Sequence, residues 1–121
     1  MSPTRMQRRT FRREVFLPCQ VVRERDFRLV SSLAFDLSTG GMQVLTGTRV
    51  LTGEPLLVSF RAPKTGAWFD LAATVARVIH GRRPEDRGRG LGLEFHGMAL
   101  SARYDLLDGL EGLPVTASVR A

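Results

Sequence analysis

Six short apolar runs, each closed off by turn-forming residues, decide most of what this chain can become. In the first, Val15, Leu17, Cys19 and Val21 alternate with Phe16, Pro18, Gln20 and Val22, the period-two pattern of a strand with one buried face. Pro18 has no N–H to give and suits an edge or a bulge. Glu24-Arg25-Asp26 reads as a charged turn. Further strands are expected over residues 27–36, 42–45, 56–60, 68–80 and 90–95, punctuated by Gly40-Gly41, Gly53-Glu54-Pro55, Pro63-Lys64-Thr65-Gly66 and the polar stretch 81–88. In the last run Leu91, Leu93 and Phe95 share a face, while Gly90 and Gly92 opposite leave room for another backbone or a ligand. Trp68 and Phe69 are assigned to the core.

Only the end reads as helix. Ser101 is the expected N-cap of a segment 102–108, with Gly109 near its stop. Leu100, Tyr104 and Leu107 would lie on one helical face and cover one mouth of the sheet. Past Gly112 no pattern is visible, and no 20–50-residue repeat occurs. Six short strands and a terminal helix predict a mainly β fold, a small barrel or sandwich. A closed six-stranded antiparallel barrel is preferred because closure removes exposed edges. The expected organisation is an N-terminal stretch 1–6, one domain over 7–112 and a tail 113–121.

Two stretches carry the chemistry. The first is Asp36-Leu37-Ser38-Thr39-Gly40-Gly41-Met42, which leaves one apolar run and enters the next. Two glycines there suggest a tight hairpin turn built on positive φ, with its backbone N–H groups exposed. Asp36 and Ser38, two apart, would present a carboxylate and a hydroxyl on one strand face. Asp and Ser also brace turns through their own side-chain hydrogen bonds, so this layout has a purely structural reading as well. The second stretch is Gln7-Arg8-Arg9-Thr10-Phe11-Arg12-Arg13. Guanidinium forks pair bidentately with phosphate and stack on planar rings. The spacing of four between Arg8 and Arg12, and between Arg9 and Arg13, lets two of them grip one ligand from different sides; a solvated basic tail is the plain alternative.

Charge placement supports a local anion site. The net charge is +6, and residues 1–28 hold eight arginines against three acids, leaving ten basic and nine acidic residues in the rest of the chain. That asymmetry argues against a general nucleic-acid surface, which would spread cations and exposed aromatics along the strands. No DNA or RNA partner is therefore expected. Cys19 is the sole cysteine, so no intrachain disulfide or cysteine-based metal cluster is available, and a small-hydrophobe role suits it. His80 and His96 have no partner at a ligand or triad spacing, so neither a catalytic residue nor a metal site is assigned. His80, Arg77 and Arg82 are noted as side chains able to reach a ligand near a barrel mouth. The apolar runs are too short to cross a bilayer and no signal-peptide core follows the N-terminal arginines, which fits a cytoplasmic bacterial protein.

With both stretches in view, the chain resembles the PilZ domain family. Arg8-x-x-x-Arg12, or Arg9-x-x-x-Arg13 one register on, is similar to the family's RxxxR motif. Asp36-x-Ser38-x-x-Gly41 is similar to its [D/N]xSxxG motif, and Gly90-Leu91-Gly92-Leu93-Glu94-Phe95 to its late GxxF-like strand. Leu17-Pro18, five residues past Arg12, favours Arg8 and Arg12 as the pair, with Arg9 and Arg13 as neighbours that also reach the ligand. The resemblance implies a six-stranded barrel with a C-terminal helix. It also implies binding of the bacterial second messenger cyclic di-GMP, commonly as an intercalated pair, and no cofactor. By position, Arg8 and Arg12 would contact phosphates and guanines, Asp36 and Ser38 a guanine edge, and Gly40 and Gly41 would form the turn beside it. Ordering of the arm would then create a surface for an unidentified effector protein. The alternative is a PilZ-type adaptor that binds protein without nucleotide.

Overall fold

The computed structural model describes residues 12–84, 86 and 88–115. Among these residues six strands form, β1 (Arg13–Arg23), β2 (Leu29–Leu37), β3 (Gly41–Leu45), β4 (Pro55–Arg61), β5 (Trp68–Ile79) and β6 (Gly90–His96), followed by one helix, α1 (Leu100–Leu110). All neighbouring strands are antiparallel, and the order β1-β2-β3-β6-β5-β4 closes on itself through β1 and β4. The expected barrel is present.

Alternation explains the interior. Leu17, Cys19 and Val21 of β1 are buried, as are Leu56, Val58 and Phe60 of β4, and Leu91, Leu93 and Phe95 of β6. Phe60 stacks on Phe69 with ring centroids 5.4 Å apart and on Phe95 at 6.1 Å, so three strands share one aromatic column. Cys19 is buried in this core, and burial pushes its thiol up to about 11. Pro18 sits where the β1–β2 register shifts, consistent with a bulge.

Glycines let β3 and β6 lie close. A Cβ on Gly41 would overlap the Leu93 carbonyl oxygen, and one on Gly90 would overlap that of Val44. The room expected at Gly90 is therefore filled by backbone, whereas at Gly92 it is filled by the Arg77 side chain.

The strand register sorts the loops between two ends. One end gathers the start of β1, the β2–β3 turn, the β4–β5 turn and the exit of β6. Helix α1 closes this end. Its Leu106 and Leu110 join the core, Gly109 packs on Ala62 of the β4–β5 turn, and the Lys64 amide donates to the Gly109 carbonyl at 3.0 Å.

Several helix expectations are corrected. The residues that cover the barrel are Leu106, Gly109 and Leu110, while Leu100, Tyr104 and Leu107 face solvent. The inward face is thus the narrower one, because a Gly109–Ala62 contact lets the helix approach the turn closely. Gly109 accordingly lies inside the helix, which stops at Glu111 before Gly112 at φ +82°. Ala99 is the N-cap and supplies no side-chain bond, so Ser101 is already within the helix. Trp68, assigned to the core, is 67% exposed. It opens β5 on the outer face, with the Arg61 guanidinium 5.7 Å from its ring centroid. Phe69, its neighbour, is buried as expected.

Candidate functional site

The β2–β3 turn is built on a hydroxyl. Ser38 Oγ accepts from the Gly40 amide at 3.1 Å and the Gly41 amide at 3.2 Å, and the Ser38 amide donates to the Gly41 carbonyl at 2.9 Å. Neither glycine has positive φ. The expected glycine-driven turn with exposed N–H groups is therefore corrected: both amides are taken up by Ser38, which is itself buried. Gly41 is needed because β6 passes too near for a side chain, while a Cβ on exposed Gly40 would meet Ser38 Oγ at an ordinary contact distance of 3.8 Å. The Gly40 carbonyl accepts from the Phe95 amide at 2.9 Å, tying the turn to β6.

Asp36, two residues before Ser38, lies opposite Glu14 of β1 and Gln43 of β3. It is 1% exposed. Such a carboxylate needs a partner, because desolvation penalises its charge. Arg12 provides one, its Nη1 donating to Asp36 Oδ1 at 3.0 Å with the Arg12 side chain still 47% exposed. The structure thereby joins the root of the arginine arm to the hairpin carboxylate, 24 residues apart in sequence.

Arg13 points elsewhere, its Nη1 donating to the Leu113 carbonyl at 2.8 Å. Arg8 and Arg9 lie outside the described residues. Arg77 was one of three side chains whose position sequence alone left open. Its stem crosses Gly92, which pairs with Gln43, which in turn pairs with Asp36. Arg77 therefore stands on the same outer row of the barrel wall as the carboxylate. His80 and Arg82 follow the far end of β5, at the opposite end of the barrel. Gln43 was not singled out from the sequence. Its place between Gly92 and Asp36 follows only from strand register, which no local signal encodes.

Among the described residues no group of three or more His, Cys, Asp or Glu side chains is placed to hold a metal ion. No described helix is long and apolar enough to cross a membrane. The arrangement offers a half-exposed Arg12 guanidinium on a buried carboxylate, with Arg77 three strands along the same outer row. Chemically, that row suits a ligand with both anionic groups and a planar donor edge.

Comparison with known proteins bears on the family and the fold. The family model described as PilZ domain matches residues 7–112. Among solved structures, the PilZ domain of YcgR from Escherichia coli, determined with c-di-GMP, matches at a TM-score of 0.69 and 20% identity over 88% of this chain and 91% of that one. The Bacillus subtilis inhibitor of motility MotI/DgrA matches at a TM-score of 0.68 and 23% identity, covering 86% of this chain. This chain spans about half of that protein, 49% of its length. The PilZ domain of CeSA from a cellulose-synthesizing bacterium matches at 0.57 and 19% identity, over 84% and 95% of the two chains. A search of curated proteins finds no match.

Proposed function

This chain belongs to the PilZ domain family, and from that premise we propose that it is a receptor for cyclic di-GMP, with no catalytic activity of its own. The observation that carries the reading is the Arg12–Asp36 pair, which ties the root of the arm to the hairpin motif. Cyclic di-GMP has two phosphates and two guanines. Arm arginines meet the phosphates and stack on the rings, and Asp36 accepts from the N1–H/N2–H₂ edge of a guanine. Arg77 flanks this row and supplies a further cation. Ser38 acts by holding the turn, since its hydroxyl already accepts two amides.

Magnitudes favour a site that uses both motifs. Ordering about six arm residues costs roughly 1–2 kcal/mol each, and four charge-assisted contacts contribute roughly 1.5–3 kcal/mol each. Phosphate pairing alone is close to balance, so tight binding draws on ring stacking and on Asp36. Ligand-driven ordering of the arm then presents a new surface to an effector protein.

Isothermal titration with cyclic di-GMP at near-physiological salt tests this, with Arg12→Ala beside the parent chain. Micromolar or tighter binding that the variant loses supports the receptor. Absence of heat, together with an unshifted melting temperature, would sink it in favour of the nucleotide-independent adaptor.

A further inference from the structure

We propose that Leu113–Val115 is a latch that positions the arginine arm, and that Arg13 serves the nucleotide site through this latch without touching the nucleotide. The proposal rests on the reading of the chain as a cyclic di-GMP receptor.

The geometry begins with an unfinished strand. Strand β1 pairs with β2 from its first residues, Arg13 opposite Leu37 and Glu14 opposite Asp36. On its other side, β4 joins only from Cys19 onward. The root of the arm would therefore have a strand on one side alone. Leu113–Val115 fills the other side. The Glu14 amide donates to the Pro114 carbonyl at 2.8 Å, Arg13 forms an antiparallel bridge with Val115, and Arg13 Nη1 donates to the Leu113 carbonyl at 2.8 Å. The latch is itself anchored. Leu113 packs on the core, and its amide donates to the Leu110 carbonyl at 3.2 Å at the end of α1.

The consequence falls on Arg12. It is the residue just before Arg13, and its pairing with Asp36 depends on the direction in which the chain leaves β1. With Arg13 and Glu14 held from both sides, that direction is set. Without the latch, the first residues of β1 are held by β2 alone and fray, as unsupported strand ends do. Arg13 thus resembles a ligand cation by sequence and works as a brace by structure. The latch lies just past residue 112, where the match to the family model ends.

The test uses cyclic di-GMP as probe and four chains: the parent, a chain ending at Gly112, Arg13→Met, and the two changes combined. Binding is read by calorimetry, and amide exchange at Glu14 is read without nucleotide. The truncation and Arg13→Met are each expected to weaken binding by about tenfold, the loss of a hydrogen bond to a charged group. The combined chain should bind no worse than the truncated one, because both changes open the same contact. Exchange at Glu14 should accelerate in all three variants, a change that a purely ligand-contacting Arg13 would not produce. Losses that multiply to about a hundredfold, or unchanged Glu14 exchange in Arg13→Met, would overturn the positioning role. If the truncated chain fails to fold, the Arg13→Met exchange readout decides alone. A parent chain that does not bind would overturn the receptor reading and the positioning role with it, whereas a parent that binds equally well when truncated overturns only the latch.

Discussion

Arg12 and Asp36 form a half-exposed ion pair, a guanidinium 47% in solvent reaching a carboxylate that is almost fully covered. A ligand that takes the carboxylate must replace or share this guanidinium.

Arg12→Ala and Asp36→Ala should each weaken cyclic di-GMP binding by a hundredfold or more, about 2.7 kcal/mol. Arg12→Ala should also lower stability by about 1–3 kcal/mol, since it removes a charge-assisted hydrogen bond to a buried carboxylate. Titration calorimetry and urea unfolding read the two effects separately. Nanomolar binding by Asp36→Ala would show the site assignment to be wrong.

The β2–β3 turn separates three roles that sequence alone merges. Ser38→Ala removes the acceptor of two amides and should cost about 1–3 kcal/mol. Gly41→Ala forces a side chain into the β6 backbone and should be the most damaging of the three. Gly40→Ala, whose Cβ would make only an ordinary contact with Ser38 Oγ at 3.8 Å, should stay within about 0.5 kcal/mol of the parent. Equal effects of the two glycine changes in denaturant melts would contradict the packing described for Gly41.

The β1–β2 turn gives a pH signature. Desolvation pushes the Asp26 carboxyl up, but the Arg28 amide, the Arg23 guanidinium and the charge of Arg25 outweigh it and hold Asp26 below its ordinary value. A carboxyl lowered on folding stabilises above its unfolded value, and that contribution disappears as pH falls through the folded one. Asp26→Asn should therefore lower the melting temperature slightly at neutral pH and not at pH values below the carboxylate range. A difference that persists in acid would rule out the ionised contact as its source.

Cys19 should be chemically quiet. With its thiol raised to about 11, the thiolate that reacts is scarce at pH 8 even before access is considered. Alkylation by iodoacetamide should be negligible in the native protein and complete in urea. Rapid labelling under native conditions would mean that β1 opens far more readily than its burial implies.

Much of the molecule was legible along the chain because strands announce themselves locally. All six were readable from alternation and turn residues, with ends displaced by a residue or two where pairing continues past the apolar run. Motif order assigned Arg12 and Asp36 to one ligand, but their direct pairing with each other was not legible in the sequence. The helix was misread for a physical reason: Leu100, Tyr104 and Leu107 form the more apolar stripe, yet the inward face is chosen by what can approach the β4–β5 turn. Gly109 meeting Ala62 allows that approach. Trp68 was misassigned on similar grounds, since its size suggests core while strand register places it outside beside Arg61.

Local chemistry, then, settled what the sequence could settle by itself: strand number, the mainly β class, the serine-bearing turn and the two charged stretches, all written in residues near one another. What only the tertiary structure decided depends on contacts between distant segments. Closure of β1 on β4 set the barrel, the passage of β6 gave Gly41 its necessity, and Leu113 claimed Arg13 from 100 residues away. Those choices follow from register and packing, where a residue's role is fixed by whichever strand happens to lie beside it.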